Sequence, residues 1–596
     1  MALRYVLICS PGGSGLKDAV EDRLKPFLTE TNAVFCHQDV EDELCASYDV
    51  RKALQDLPVP IRPTVGDITR YLPRTQVIRF WKSALQQSLT SLLQCSDQYQ
   101  NRSLNLLTCH LDLYGGRRRE MYSPIDVRLF IEDGHEVSHV LLLIDDIYDM
   151  YVRLSQPAAL YDEAAGISEY VRDQSRPEAP EQRGDRRPAA SRLQRAKWTI
   201  EWKANVLAVL LSWRRAEMLM AEAVAHQLNA KYIAFGVKQS VAAVAHWLLD
   251  PSRQGVYISH PISRPRRERR KTGSWPTDRV VEECNELQME LDTYGVTCVM
   301  PTAIDELRFA TAPAGELPRL DTRWPIASKR ADFSDTLYKT SGQAQPELTY
   351  VLLPSKQQSD STNWRPWLGA LQNQIKTEIA FRDHHLVAAN PGLLVLRPFY
   401  GNGMTSEGVG AEVDHWQALA KDPSPATGDR RAVFIHFAED VEAMLREALR
   451  ADSSSLDFQI NAATVAILER EGFSRKGMAQ TLVRRLSNDA GFDSLLDAGL
   501  IPLDLQTKLR ERWPSITESA AVRVLQELLT LIEMPPNRAG IWIVRSETEL
   551  RDEYPTIAKF LRGELSKSPD DWITAALDAL KSVRKDAPDS SPAQKP

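Results

Sequence analysis

Short apolar runs alternate with longer amphipathic stretches over most of the chain. In the first 250 residues these runs are continuous and rich in β-branched residues, which predicts strands of a parallel sheet covered on both faces. They are Tyr5–Cys9, Ala33–His37, Leu104–Leu113, Val140–Asp145 and Tyr232–Val237. Helix-length segments separate them, for example Trp198–Leu228. This alternation predicts a doubly wound α/β domain over residues 1–250.

A second alternation of the same kind occupies residues 255–450. Its helix is expected at Val280–Tyr294 and its strands at Gly255–His260, Val296–Met300, Leu348–Leu353, Leu393–Leu396 and Ala432–Phe437. From about residue 453 onward, apolar positions at helical spacing predict a mostly helical domain over 453–585, with Gly540–Val544 as a lone strand. The predicted fold class is therefore α/β, with two consecutive doubly wound parallel-sheet domains followed by a mostly α-helical C-terminal domain.

Two segments lack the pattern of a packed core. Residues 156–197 are polar and rich in Pro, Arg and Glu, which predicts a mobile insertion in the first domain. Residues 586–596 are rich in Asp, Ser and Pro, which predicts a disordered tail.

Composition narrows the functional classes. The chain has 596 residues, 43% of them hydrophobic and 26% charged, as in a globular protein. A net charge of −7 disfavours a general polyanion binder, so nucleic acid is not a favoured partner. The seven cysteines contain no CxxC pair, which argues against a disulfide framework and a zinc ribbon. No apolar run reaches the roughly 18 residues of a membrane span, so we expect no membrane association and a reducing cytoplasmic location.

The most informative chemistry lies in Ser406–Glu412, between a predicted strand and a predicted helix. Gly408 and Gly410 predict a tight turn that a ligand approaches closely. The Ser406 hydroxyl and the amides at a helix start suit a phosphate. Glu412 is expected in the first turn of the helix, directed at the occupant of the turn. The alternative is that Glu412 only complements the helix dipole.

This segment resembles the Ser-x-Gly-Val-Gly-x-Glu motif of 2′-deoxynucleoside 5′-phosphate N-hydrolases, members of the nucleoside 2-deoxyribosyltransferase superfamily. Other landmarks follow in the family's order over about residues 255–450. Tyr257–Arg264 is similar to the family's first strand and loop, and Asp383 occupies the place of its upstream aspartate. The chain departs from the family in an insertion at about 305–348 and in extra residues between Asp383 and Ser406.

The resemblance implies an N-glycosidase that needs no cofactor and no metal. Glu412 would attack C1′ of the sugar and expel the base, as in a retaining glycosidase. Asp383 would position the sugar or protonate the base. The residues implied in substrate and phosphate binding are Ser406, Gly408, Gly410, Tyr257, Ser259, Ile262, Ser263, Arg264 and Arg266. The two arginines begin a basic run that would otherwise be a solvated surface loop.

The N-terminal domain carries a second, weaker motif. Ser10–Lys17 follows a strand and precedes a helix, as phosphate-cradling loops do, and it contains Gly12, Gly13, Gly15 and Lys17. Val140–Asp146 resembles a Walker B strand whose Asp145 or Asp146 would hold Mg²⁺. Together they resemble a divergent P-loop nucleotide-kinase domain that would bind ATP and Mg²⁺. Leu16 and Asp18 break the usual Gly-Lys-Ser/Thr ending, which favours nucleotide binding without catalysis.

The sequence thus predicts a nucleotide N-glycosidase, which would act as a nucleotide-depleting bacterial defence or toxin effector. The resemblance also allows a deoxyribosyltransferase-like variant whose acceptor is a second base, a protein side chain or nucleic acid instead of water. One alternative is a nucleotide-sensing regulatory protein that binds nucleotide without cleaving it. Another is a nucleoside or nucleotide kinase with an accessory second domain. The helical C-terminal domain would mediate homo-oligomerisation or bind a regulatory protein partner.

Overall fold

The computed structural model describes most of the first 261 residues and several later segments. The described ranges are 4–150, 189–261, 279–301, 304, 365–400, 406–421, 429–440 and 538–565, with short breaks at 58, 100–102, 116–119, 133–134, 148–149, 238, 251 and 438. The chain divides into two compact units. The first contains residues 1–253 and 299–389, and the second contains 254–298 and 390–596.

The first unit is built on a five-stranded parallel sheet of order β2-β3-β1-β6-β7. Its strands are β1 (Arg4–Cys9), β2 (Phe35–Asp39), β3 (Leu104–Cys109), β6 (Glu136–Ile144) and β7 (Lys231–Gly236). A separate antiparallel pair is formed by β4 (Leu113–Gly115) and β5 (Glu120–Tyr122). The central strand β1 is wholly apolar from Tyr5 to Cys9 and each of these side chains is at most 1% exposed, as expected for a strand covered on both faces.

Helices surround this sheet. They are α1 (Leu16–Ala19), α2 (Lys25–Glu30), α3 (Val40–Ala46), α4 (Tyr48–Leu54), α5 (Val65–Tyr71), α6 (Arg74–Gln98), α7 (Arg128–Glu132), α8 (Ala189–Gln227), α9 (Val241–Leu249) and α11 (Arg365–Ala389), with a π-helical turn at Val20–Leu24. Residues 189–197, expected in the mobile insertion, belong to α8. The rest of that insertion lies outside the described residues.

The second unit has its own five-stranded sheet, of order β12-β11-β10-β8-β9. Its strands are β8 (Gln254–Ser259), β9 (Val296–Val299), β10 (Gly392–Leu396), β11 (Arg431–Phe437) and β12 (Ala539–Val544), and its helices are α10 (Arg279–Thr293), α12 (Glu407–Lys421) and α13 (Glu547–Leu561). The pairings of β8 with β10, β10 with β11 and β11 with β12 are all parallel. A mixed α/β fold with two parallel sheets is therefore confirmed.

The C-terminal segment differs from expectation where it is described. The residues predicted as a lone strand form β12, which pairs with β11 from Ala432 to Phe437 and closes the edge of the second sheet. The preference for strand was visible locally, but its partner lies more than 100 positions earlier and left no local signal. The helices predicted between 453 and 538, the strand predicted at Leu348–Leu353 and the tail 586–596 lie outside the described residues.

The structure contains a disulfide, whereas the cysteine spacing argued against a disulfide framework. Cys36 on β2 and Cys95 on α6 form a disulfide, with Cα atoms 6.2 Å apart. The two residues are 59 positions apart, so no short spacing announced the pair. Disulfides are rare in reducing compartments, so this bridge is at odds with the reducing cytoplasm expected from the sequence. Among the described helices, none is long and apolar enough to cross a bilayer.

Candidate functional site

The strand order of the second sheet puts a topological switch point at β8 and β10. Numbered within the unit, its strand order is 2-1-3-4-5, the order of flavodoxin-like sheets. In such sheets the connections on either side of the first and third strands run in opposite directions and leave a crevice at the carboxyl ends of those strands. These two strands are β8 and β10. The helix that follows β10 is α12, which carries Glu412.

Glu412 is buried and held by two hydroxyl groups of β8. The Tyr257 hydroxyl donates to Oε1 at 2.9 Å, and the Ser259 hydroxyl donates to Oε2. Glu412 is 7% exposed, and its two partners are fully buried. A buried carboxylate without partners would cost several kcal/mol, so these donors fix the carboxylate in place. A carboxylate oxygen carries more than one lone pair, so an oxygen that accepts a hydrogen bond keeps the capacity to act as a nucleophile.

Register explains why both hydroxyls reach the same carboxylate. Tyr257 and Ser259 are two positions apart on β8, and side chains two apart on a strand point to the same face. Their neighbours across the ladder are Leu393 and Val395 of β10. Thus β10, the strand that precedes α12, lies next to β8, the strand whose hydroxyls hold Glu412. Tyr257 and Ser259, which the sequence predicts as substrate-binding residues, contact Glu412 in the structure, and their substrate-binding role stays a prediction.

The start of α12 differs from the predicted tight turn. The helix begins at Glu407, so Gly408 and Gly410 lie within its first turn and Glu412 lies in the second. Ser406 caps the helix, because its hydroxyl accepts from the Val409 amide at 3.3 Å. Glycine is tolerated here although it costs about 1 kcal/mol in a helix. A Cβ on Gly408 would meet no atom within 4 Å, so open space lies beside this helix start.

Among the other predicted members of the site, only Asp383 lies within the described residues. Ile262, Ser263, Arg264 and Arg266 lie outside the described residues. Asp383 lies on α11, in the first unit, where its Oδ1 accepts from Nε and Nη2 of Arg382 at 2.9 and 2.7 Å. The described contacts of Asp383 are therefore those of an ion pair within the first unit.

A buried arginine that the sequence reasoning missed lies directly after β10. Arg397 pairs with Glu283 of α10 at 2.9 Å and with Asp440 at 2.7 and 2.9 Å, and it also contacts Glu439. Its guanidinium lies 4.4 Å from the ring centre of Phe437. Burial by itself would lower the pKa of Arg397, but the hydrogen bonds and charge of Asp440 outweigh it and raise the pKa. The sequence did contain a signal for this cluster. Arg397 follows the apolar strand β10, and the acidic pair Glu439 and Asp440 follows the next strand, β11.

The glycine loop of the first unit follows a strand at a comparable switch point. The connections that leave β1 and β6 run toward opposite edges of the sheet, so their carboxyl ends border a switch point. Gly13 and Gly15 have φ angles of 82° and 72°, which glycine adopts readily. Asp145 and Asp146, at the end of β6, are buried. The predicted loop and acidic strand end are therefore on neighbouring strands.

The side chains around this loop fit Mg²⁺ and ATP poorly. Both oxygens of Asp42 accept from the Lys17 ammonium, at 2.7 and 2.9 Å, so this lysine is already paired. A Cβ on Gly12 would lie 2.0 Å from Cη2 of Trp213, whose ring covers that face of the loop. Burial raises the pKa of Asp112 to about 6 and that of Glu217 well above its usual value. Burial thus favours the neutral form of both carboxyl groups, whereas a carboxyl group must be ionised to hold Mg²⁺.

No His, Cys, Asp or Glu cluster among the described residues is arranged to hold a metal ion. Comparison with known proteins adds no family assignment, since no family model matches the chain. No curated protein matches it either.

Proposed function

We propose that the second unit cleaves the N-glycosidic bond of a 2′-deoxynucleoside 5′-monophosphate, with Glu412 as the nucleophile. The observation that carries the proposal is a buried carboxylate at the switch point of a 2-1-3-4-5 sheet, held by the Tyr257 and Ser259 hydroxyls. Carboxylates of this kind serve as nucleophiles in retaining glycosidases. A nucleotide-depleting effector is the biological setting that this activity would suit.

The reaction would proceed in two displacements. A Glu412 oxygen attacks C1′, and the electrons of the C1′–N bond leave with the base, which takes a proton. The resulting glycosyl ester is then attacked at C1′ by water, which loses a proton and releases deoxyribose 5-phosphate and the free carboxylate. The two β8 hydroxyls would hold the carboxylate in its attacking orientation and receive it back after the second step.

The start of α12 would bind the 5′-phosphate. The amides at the beginning of a helix carry partial positive charge, and this helix spans 15 residues. The open space beside Gly408 supports access by a ligand to this turn. Ser406 would add a hydroxyl donor, since accepting from the Val409 amide leaves its proton free to donate.

Base release from a panel of deoxynucleoside monophosphates, followed by chromatography, tests the proposal. Glu412→Gln removes the nucleophile and should reduce release by at least about a thousandfold. The matched control is Asp414→Asn, which removes an exposed carboxylate from the same helix and should leave the rate unchanged. Wild-type activity in Glu412→Gln, or absence of base release from every nucleotide, would refute the proposal. In the second case, tight binding of an intact nucleotide would favour a nucleotide sensor.

A further inference from the structure

One buried histidine in the second unit has no partner for either ring nitrogen. His436 on β11 is 1% exposed, and among the described residues neither Nδ1 nor Nε2 has a hydrogen-bond partner. Its ring stacks on Phe399, with centroids 5.0 Å apart and planes inclined by 22°. An unpaired buried polar group costs about 1–3 kcal/mol, so a ligand that pairs with it gains that interaction on binding.

Register places His436 on the face of the sheet that carries the Glu412 contacts. Ser259 of β8 lies beside Val395 of β10, and Val395 lies beside Phe434 of β11. His436 is two positions beyond Phe434, so its side chain points to the same face as that of Ser259. It is also the last residue of β11 on this face, at the carboxyl end where ligands bind in such sheets.

The spacing suits a nucleoside that extends away from Glu412. Two strand spacings separate β8 from β11, which is about 10 Å. A sugar held at the Glu412 carboxylate near β8 would direct its base across β10 toward β11. We propose that His436 recognises the hydrogen-bonding edge of the base and determines which base is released. This inference rests on the proposed function of the same site.

The chemistry of the ring supports recognition of a neutral base. Burial lowers the pKa of His436 to about 3, so the imidazole is neutral at pH 7. A neutral imidazole offers one N–H donor and one acceptor. That pattern distinguishes bases whose edges differ in the positions of their donors and acceptors, and it discriminates most strongly when the site is shielded from water. Because the ring is buried, the base must displace side chains that cover it, and Phe399 is the described neighbour.

The test compares His436→Phe with Trp416→Phe. The first variant keeps an aromatic ring next to Phe399 and removes both nitrogens. The control removes another buried N–H that lacks a partner among the described residues, one helical turn beyond Glu412 on the same face of α12. His436→Phe replaces an unpaired buried polar ring by an apolar one and should be nearly neutral for stability. Trp416→Phe also leaves a cavity, so the melting temperatures of both variants are compared with that of the wild type.

The kcat/KM for base release is measured on the four common 2′-deoxynucleoside 5′-monophosphates. His436→Phe should reduce it about tenfold for the preferred base, with little change for the others, so that the preference flattens. Trp416→Phe should keep the wild-type preference. Binding of deoxyribose 5-phosphate, which has no base, should be unchanged in both variants.

The outcomes separate this inference from the proposed function. If the protein releases base and His436→Phe keeps the wild-type preference, or weakens all four substrates equally, the inference is wrong and the function stands. If the protein releases no base, the proposed function fails. Calorimetric measurement of binding of the same four nucleotides then decides whether His436 recognises the base. Base-dependent weakening by His436→Phe then supports recognition by His436. Equal binding by wild type and variant, or no binding at all, overturns it.

Discussion

Replacing Arg397 by methionine should destabilise the second unit more than any surface change. Arg397 and two of its partners are buried, with side chains 2% (Arg397), 3% (Glu283) and 7% (Asp440) exposed. Removing the guanidinium leaves two buried carboxylates without their counter-charge, and breaking a buried ion pair in this way costs about 3–5 kcal/mol. The third partner, Glu439, is 53% exposed and contributes little, at most about 1 kcal/mol.

The assay must report on the second unit alone, because a chain of two units need not unfold in one step. Hydrogen exchange of peptides that contain β10 and β11 gives the free energy of local opening. Arg397→Met should lower that value by about 3–5 kcal/mol, and Glu439→Gln should lower it by less than about 1 kcal/mol. Adding Glu283→Gln and Asp440→Asn to Arg397→Met should recover most of the loss, since neither buried partner of Arg397 then carries a charge. A change below about 1 kcal/mol in Arg397→Met would refute the reasoning.

Three further predictions follow from the described contacts. Ser406→Ala should weaken cleavage of a nucleoside monophosphate more than cleavage of the free nucleoside, and equal losses would contradict a phosphate role for Ser406. For His436, the folded pKa of about 3 lies below the unfolded value of about 6.5. The unfolded chain therefore binds more protons between these values, and stability at pH 5 should be about 2 kcal/mol lower than at pH 7; His436→Phe should remove this dependence in exchange measurements of β11. Gly12→Ala should lower the melting temperature of the first unit because its Cβ meets Trp213, and Trp213→Leu in the same chain should restore part of the loss.

The sheets were predictable because their strands are nearly uniform in character. The strand β11 is buried along its whole length, and such a run reads as a strand without knowledge of its neighbours. The pairing of β12 with β11 was not predictable from local sequence. The sequence also placed Gly408 and Gly410 in a turn, because glycine usually marks one, whereas here the Ser406 cap starts the helix before them.

The contacts of Glu412 with the first strand of the second sheet were foreseeable from the sequence, the surroundings of the site less so, and its chemistry stays a prediction. A glutamate in a glycine-rich motif indicated Glu412, and the first strand of the second sheet supplied Tyr257 and Ser259, which contact it. The partners of Arg397 come from α10 and from the end of β11, which are far apart in sequence. The unpaired ring of His436 likewise becomes visible only when every neighbour is known. Contacts of this kind depend on tertiary packing, which a single sequence does not specify.

Both sheets carry polar residues at the carboxyl ends of their strands, but these residues have different charged and hydrogen-bonding partners in the two units. In the second unit the switch point presents a carboxylate whose oxygens meet hydroxyl donors, and a helix start lies beside it. In the first unit the lysine of the glycine loop is paired with Asp42, and Trp213 covers Gly12. A phosphate that approached the first loop would have to break an ion pair before it gained one, whereas a phosphate at the start of α12 meets the positive end of a helix dipole. Nucleotide chemistry is therefore expected to reside in the second unit, and loss of Lys17 should leave base release unchanged.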